Sequence, residues 1–493
     1  MGGSVIVVGA GPVGLMLAGE LRLGGVDVTV LERLEAPSGQ SRGLGFTARA
    51  TEVFDQRGLL ARFGEIETSR RGHFGGIPMD FGVLEGSHFG TRGIPQDRTE
   101  RILEAWALEL GATILRGHEL VDLRDEGDRV VAVAEGPGGR RTFSAAYLVG
   151  CDGGRSTVRT LAGCSFPGTE ATREMYLADV VGRNIRPRFI GERVPAGMVM
   201  SAPLGDGIDR IIVCERGTPS RRDRAEPAFD VVADAWQRLT GESLHGAEAR
   251  WVSVFTDATR QVTEYRRGRV LLAGDAAHVH LPAGGQGLSL GVQDAANLGW
   301  KLAATVRGGA PEGLLDTYHR ERHPVGARVL RNTRAQGFLY LSGEEVEPLR
   351  SVMAELVAIP EVGRRLSGMV SGLDIRYEAG EHPLTGRRMP HLPLHTRDGQ
   401  TSVARTLEPA RGVLIDFTSG DLAGEAAGRA VDVVVAEPVP ALPAGTDGVL
   451  LRPDGYVAWA GTDRAGLAAA LRRWFGVPSS ASFAVAGATD REG

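Results

Sequence analysis

Apolar positions along the chain follow two rhythms, short continuous runs and helical repeats, and these rhythms alternate from the first residues onward. Residues 5–8 are a β-branched run; the turn Gly-Ala-Gly-Pro-Val-Gly follows, then an apolar helical stretch to about residue 23, then a second β-branched run at 26–31. Short apolar runs bounded by glycine read as buried strands, so the order strand, tight turn, helix, strand predicts a βαβ unit. Ile102, Leu103, Trp106 and Leu110 recur at helical spacing and predict a helix over 96–110. Residues 147–150 and 270–273 have the character of further buried strands, which predicts a first sheet assembled from distant parts of the chain. Between them, alternating runs at 197–202, 208–214 and 251–255 suit a second, mostly antiparallel sheet. Helical patterns run from 288 to about 333. The Pro/Gly/Arg-rich passage HPLTGRRMPHLPLHTRDGQ, 382–400, reads as a linker. Beyond it, strands at 412–416, 431–435, 448–451 and 456–459 and a helix over 467–474 predict a small α/β domain.

Composition narrows the class. The chain has 493 residues, 42% of them hydrophobic, enough for two or three domains, and a net charge of -5. Lys301 is the only lysine, and no basic block is present, which argues against nucleic acid as a partner. Cys151, Cys164 and Cys214 lack Cys-x-x-Cys spacing, so neither a disulfide framework nor a zinc site is indicated, and a reducing cytoplasm is the expected location. The apolar N-terminus lacks a basic leader and is broken by glycines; no segment is long enough to span a membrane.

Three motifs carry chemistry. Gly9, Gly11 and Gly14, with Pro12 and Val13 between them, form G-x-G-x-x-G between the first strand and helix, and Glu32 ends the second strand. Such a turn brings backbone and a helix N-terminus to a pyrophosphate, and the acid accepts from a ribose hydroxyl. A nicotinamide-dependent dehydrogenase would need no more. However, CDGGRSTVR places Asp152 after one strand and GDAAHVHLPAGGQG places Asp275 after another. Two strand-terminal aspartates beside the first βαβ unit suit a long cofactor with a polyol chain between phosphate and ring. No second glycine motif and no redox cysteine pair is present, as a flavin disulfide reductase would require. His278 and His280 lack metal-ligand companions and read as packing residues, so no metal is expected.

With these motifs, and with SRGLGFTARATEVFDQRG, RQVTEYRRGRVLLAGDAAH and RPDGYVAWA, the chain resembles the FAD-dependent aromatic hydroxylases of the para-hydroxybenzoate hydroxylase type. Within them it is most similar to the aromatic polyketide (angucycline) hydroxylases, over essentially its whole length. The resemblance implies an α/β FAD-binding Rossmann-like domain of the glutathione-reductase-like type, discontinuous over 1–70, 96–175 and 265–335. It implies an inserted, mostly antiparallel α+β substrate domain over 71–95 and 176–264, then a helical connection and linker over 336–390. A thioredoxin-like domain over 391–493 would follow; without Cys-x-x-Cys it is given a packing or dimer-supporting role, compatible with a homodimer.

The resemblance also implies roles for individual residues. Gly9, Gly11, Pro12, Val13 and Gly14 would form the dinucleotide turn, Glu32 and Arg33 would meet the adenosine end, and Arg42 and Gln96 the pyrophosphate and ribityl region. Asp152, Gly153 and Arg159 would belong to the motif serving both FAD and NAD(P)H, and Gly274 and Asp275 would hold the ribityl hydroxyls. Pro282, Gly284, Gly285, Gln286, Gly287 and Leu288 would line the flavin ring, with Ser289 where the family usually has Asn. In the stretch 72–86, Phe74, Pro78, Met79 and Phe81 are expected to line the substrate pocket, with Phe255 and Pro282 as its other wall. His73 is the candidate base, and Trp251, Trp300 and Trp474 are expected in the core.

The implied activity is hydroxylation of a polycyclic aromatic polyketide in antibiotic biosynthesis. NADPH or NADH reduces FAD, and O2 then forms a flavin C4a-hydroperoxide that an electron-rich phenol attacks. Baeyer–Villiger oxygenation of a polyketide ketone uses the same motifs and stays open as an alternative. Flavin halogenation is disfavoured by the missing Trp-x-Trp-x-Ile-Pro motif. A non-catalytic binding protein on a degenerate flavin fold is disfavoured by intact Gly9, Gly11, Gly14, Asp152 and Asp275.

Overall fold

The computed structural model describes residues 3–84, 90–220 and 226–478. Residues 85 and 86 of the expected pocket stretch, and 479–493 of the expected C-terminal domain, lie outside the described residues.

The Ser4–Val8 strand pairs in parallel with Asp27–Glu32 on one side and Tyr147–Gly150 on the other. Thr113–Arg116 extends the sheet at one end, and Val270–Leu272, parallel to Tyr147–Gly150, then Arg266–Arg267 extend it at the other. Six strands drawn from 4 to 272 thus form one sheet, whose inner members Ser4–Val8, Tyr147–Gly150 and Val270–Leu272 are buried on both faces, which is why they read as apolar runs. Its carboxyl edge brings together residues that follow four different strands: Gly9, Arg33, Cys151 and Ala273. Helices α1 (Pro12–Leu23), α2 (Ala48–Asp55), α3 (Gln96–Glu109) and the short α4 (Thr157–Leu161) belong to this unit.

The second sheet has five strands, all antiparallel, in the order Arg188–Val194, Gly197–Gly205, Ile208–Glu215, Glu174–Val181, Ala249–Thr256. Helix α5 (Phe229–Thr240) packs on it through the fully buried Trp236. Trp251 departs from the core expectation: it is half-buried, with the Arg210 guanidinium 5.5 Å from its ring centroid.

The helical pattern expected from 288 to 333 is two helices, α6 (Gln286–Val306) and α7 (Asp316–Leu341), parted at Gly308-Gly309-Ala310-Pro311. The first starts two residues earlier than expected because Gly284 and Gly285, at φ 71° and 65°, turn the chain directly into it. The second runs unbroken past 335, so no boundary falls at 335/336. Helices α8 (Glu347–Val357) and α9 (Pro360–Ser371) then cover the hairpin Arg71–Phe74/Ile77–Asp80 instead of serving as a bare connection.

The stretch 382–400 is not a linker. Its Pro393–Thr396 strand pairs with Gly399–Ser402, and Met389 and Leu394 are buried with Val413 and Ile415. The apolar residues scattered among its prolines and arginines are what seat it. After the short α10 (Val403–Thr406) comes a four-stranded mixed sheet in the order Val431–Val435, Gly412–Asp416, Gly448–Leu451, Val457–Gly461, only the first pair parallel, closed by α11 (Arg464–Phe475). Trp474 of α11 meets Trp300 of α6 in a buried contact, ring centroids 6.3 Å apart. Among the described residues no helix is long and apolar enough to cross a membrane.

Candidate active site

A cavity of about 1950 Å³ runs along the carboxyl edge of the first sheet and on between the hairpin and the antiparallel sheet. Pockets for one drug-sized ligand span roughly 300–1,000 Å³, so this one has room for a large cofactor and a second molecule.

At one end the wall is backbone. A Cβ on Gly9 (φ 104°) would lie 2.5 Å from the Cys151 carbonyl oxygen, and a Cβ on Gly14 would lie 2.0 Å from that of Gly9. Both glycines therefore keep the turn closed, and Gly14 sits behind the wall, not on it. A Cβ on Gly11, by contrast, would meet nothing within 4 Å, because that position faces open cavity at the uncapped N-terminus of α1. Glu32 is fixed at the rim by accepting the backbone N–H groups of Ala10 (2.7 Å) and Leu34 (2.9 Å); further lone pairs remain to accept from a ligand. Arg33 and Arg42 also line this stretch. Gln96 does so as well, but its Oε1 accepts from Gly43 (3.1 Å) and its Nε2 donates to Glu100 (2.8 Å), so it also clamps the loop carrying Arg42.

Asp152 braces the start of α4, whose cap is Ser156: its carboxylate accepts the Ser156 hydroxyl (2.5 Å) and the Val158 N–H (3.0 Å), and burial raises its pKa against those bonds. It thereby presents Gly153, at φ 81°, to the cavity. Arg159 is off the wall. Its guanidinium donates to the Ala276 carbonyl (3.0 Å) and the Gly154 carbonyl (2.8 Å), tying the Asp152 loop to the turn that carries Asp275. Asp275 itself stands exposed on the wall. Gly274, behind it, donates to Asp294 (3.2 Å), which also receives His278 Nε2 and Arg322 Nε, both at 2.7 Å. Burial pushes the Asp294 pKa up, but the Arg322 and His278 charges outweigh it and hold the carboxyl below its ordinary value. His278 is thus a brace for the Asp275 turn. Among the described residues no group of three or more His, Cys, Asp or Glu could hold a metal.

Further along, Pro282, Gly284, Gly285, Gly287 and Leu288 line the cavity at the start of α6, which has no side-chain cap. Gln286 is buried away from it, donating to the Ala283 carbonyl (3.1 Å) and accepting from Asn332 (3.0 Å). Ser289 is also off the wall: its hydroxyl accepts the Thr47 N–H (3.0 Å), and Thr47 lines the cavity. The shorter side chain thereby anchors the 42–47 loop to α6.

At the other end the wall is side chain. His73, Pro78, Met79 and Phe81 line it from the hairpin region. Phe74 does not: it lies in the buried cluster with Leu339 and Val346, which Met79 and Phe81 join from the cavity side. Phe255 is off the wall too, packed against Met175, Met198 and Leu281. The opposite wall is formed by Met200, Ala202 and Leu204 of the Gly197–Gly205 strand and by Phe189. These were missed by sequence reasoning, as were Phe46 and Thr47; the alternation 200, 202, 204 was the signal for the first three.

His73 is held in a defined state. Its Nδ1 accepts the Gly76 N–H (3.3 Å), which leaves the ring proton on Nε2, and burial pulls its pKa down to about 4. Such an imidazole is a neutral donor and a weak base, contrary to the base expected there. Lys301, the lone lysine, is buried against Glu321 (2.7 Å), outside the cavity.

The cavity fits FAD. Added Cβ atoms on Gly11, Gly153 and Gly285 would all meet open space, and two uncapped helix N-termini, suited to negative charge, open onto it. The fold and this cradle define a dinucleotide-binding flavoprotein. Residues 3–333 match the FAD binding domain family and 382–478 match the aromatic-ring hydroxylase C-terminal family. The chain belongs to the FAD-binding aromatic-ring hydroxylases, a family of flavin-dependent monooxygenases. It is 46% identical to the 12-dehydrotetracycline 5-monooxygenase/anhydrotetracycline 6-monooxygenase of Streptomyces rimosus, over 96% of this chain and 99% of that one. The solved structure of CabE, an aromatic hydroxylase from angucycline biosynthesis, is 62% identical with a TM-score of 0.93, covering 97% of this chain and 100% of that one. The dialkyldecalin synthase of Streptomyces rugosporus is also similar, 42% identical over 97% of this chain and 99% of that one.

Proposed function

We propose that the protein is an FAD- and NAD(P)H-dependent monooxygenase that hydroxylates a polycyclic aromatic polyketide of the angucycline type in antibiotic biosynthesis. The observation that carries this reading is one continuous cavity, backbone-walled at the cofactor end and lined by Met79, Phe81, Phe189 and Met200 at the other. Flat apolar and soft side chains suit a fused aromatic ring system. Bound FAD, reduced by NADPH or NADH, supplies the activation of O2 for electrophilic transfer of one oxygen to the ring.

The residues of the chain do the rest. The start of α1 and Glu32 would hold the pyrophosphate and the adenosine ribose, Asp275 would accept from the ribityl hydroxyls, and the start of α6 would favour negative charge on the ring by about 0.3–2 kcal/mol. The apolar wall positions the substrate and keeps water out. His73 donates from Nε2 to a substrate oxygen, so the phenol relies on its own acidity. We read the C-terminal unit, with its mixed four-stranded sheet, as thioredoxin-like.

The test is incubation with FAD, NADPH, ¹⁸O2 and an angucycline-type polyphenol. A product heavier by one labelled oxygen on an unchanged carbon skeleton supports hydroxylation. A ring-expanded lactone or ester would instead establish Baeyer–Villiger chemistry. The similarity to dialkyldecalin synthase favours one further reading, ring formation without oxygenation; conversion without O2 or NADPH consumption would establish it and overturn the proposal.

A further inference from the structure

Residues 452–455, Arg-Pro-Asp-Gly, turn the chain between two strands of the C-terminal sheet, closed by the bond from the Gly455 N–H to the Arg452 carbonyl (2.9 Å). The turn is buried, Arg452 and Asp454 each 2% exposed, and it reaches into the flavin unit. Arg452 donates twice to Glu321 of α7 (2.6 and 2.8 Å) and twice to Asp454 (3.0 and 2.5 Å). Glu321 also receives Lys301 and Asn297 of α6, each at 2.7 Å. Asn297 reaches on to the Asp454 carboxylate (3.1 Å) and accepts from Lys301 (2.8 Å), so both of its N–H donors and its carbonyl oxygen are engaged. The turn's backbone is bound as well. The Asp454 carbonyl accepts from Arg49 of α2 (2.7 Å), and the Pro453 carbonyl from Arg57 (2.8 Å), whose guanidinium pairs with Glu20 of α1 (2.7 and 3.0 Å).

One four-residue turn is therefore bonded, directly or through one side chain, to α1, α2, α6 and α7. Two of these, α1 and α6, bring their N-termini to the cavity, and α2 begins immediately after Thr47 on its wall. None of Arg452, Asp454, Asn297 and Lys301 is on the wall. Buried ion pairs are often no more stabilising than apolar residues of the same volume, and their best-attested use is to fix geometry. Directional bonds at this junction constrain how the helices sit relative to one another in a way that apolar packing does not.

We propose that the turn 452–455 is a positioning element of the flavin cradle: the C-terminal unit, none of whose described residues lines the cavity, sets the relative placement of α1, α2 and α6. This rests on reading the cavity as the FAD site. The test uses the full chain, titrated with FAD and followed by flavin fluorescence and visible circular dichroism. Asp454→Asn keeps shape but turns an acceptor of Arg452 and Asn297 into a donor; Arg49→Lys keeps the charge and loses the forked geometry. Leu394→Ala, in the C-terminal core, is the control for stability alone. The expected result is a Kd for FAD raised at least tenfold, with an altered visible dichroism of the bound flavin, in both turn variants. Leu394→Ala lowers the melting temperature with Kd unchanged within twofold. Turn variants that melt lower but bind FAD with wild-type Kd and spectrum overturn the inference, and if Asp454→Asn does not fold, Arg49→Lys decides it. A wild-type chain that takes up no FAD overturns the reading of the cavity itself.

Discussion

The two ends of the cavity are built from different materials. The cofactor end is backbone at a sheet edge: Gly9 keeps the turn closed, Gly11, Gly153 and Gly285 leave room, and Glu32 and Asp275 stand at fixed points around it. The substrate end is side chain on separate pieces, with Met79 and Phe81 by the hairpin and Phe189 and Met200 on the antiparallel sheet. A wall made of backbone tolerates a substituent or rejects it outright, whereas a wall of apolar side chains responds in proportion to volume. Damage at one end should therefore abolish cofactor binding, and damage at the other should grade substrate affinity.

The largest effect is expected from Gly9→Ala. Its Cβ would stand 2.5 Å from the Cys151 carbonyl oxygen, and its φ of 104° is one that an L side chain rarely adopts. The chain should purify without bound flavin, its Kd for FAD weakened at least hundredfold by the order of roughly 3 kcal/mol that such strain costs. Isothermal titration with FAD checks this; an unchanged Kd would break the contrast between the two ends. Next is Asp275→Ala. Losing a charged acceptor costs about 1.5–3 kcal/mol, so FAD binding should weaken roughly ten- to hundredfold while the melting temperature of the apo chain hardly moves, since Asp275 is exposed. Met200→Ala comes third. Removing its contact with substrate should forfeit about 1–2 kcal/mol, raising KM for the polyphenol roughly tenfold with Kd for FAD untouched. An equal shift in both constants would mean the two ends are not separable.

The same difference in material governs how much could be read in the sequence. Tyr147–Gly150 and Gly412–Asp416 were legible to the residue because a buried strand needs an unbroken apolar run. Glycines that exclude a Cβ, such as Gly9 and Gly14, leave a fixed spacing in the chain. Met200, Ala202 and Leu204 leave only an alternation that any half-buried strand shows, and which face meets the cavity depends on the sheet's placement. Phe74 and Phe255 were misjudged for that reason. The stretch 382–400 misled because six of its nineteen residues are proline or arginine, while four apolar side chains, Leu384, Met389, Leu392 and Leu394, decide where it packs. Nor could Ser289 be understood alone, since its partner Thr47 lies 242 positions away.

The smallest effect, and the finest probe of the substrate end, concerns His73. Burial holds its pKa near 4, below the about 6.5 of an exposed imidazole. Between those values the unfolded chain binds the proton and the folded chain does not, so the folded state gains stability as pH rises from about 4 to 6.5 and loses it as pH falls through that window. His73→Gln should flatten this acid limb in a melting-temperature series. The imidazole is neutral throughout pH 6 to 8 and already gives its Nδ1 lone pair to Gly76. Glutamine keeps an N–H donor but not at the position of the imidazole Nε2, so weakening that hydrogen bond to substrate, worth about 0.5–1.5 kcal/mol, should lower kcat/KM only about two- to tenfold, with no change in the shape of the pH profile. A His73→Gln variant that is inactive below pH 8 and recovers as the phenol ionises would show that His73 removes the proton after all, and that the substrate end contains a reacting group as well as a shaped surface.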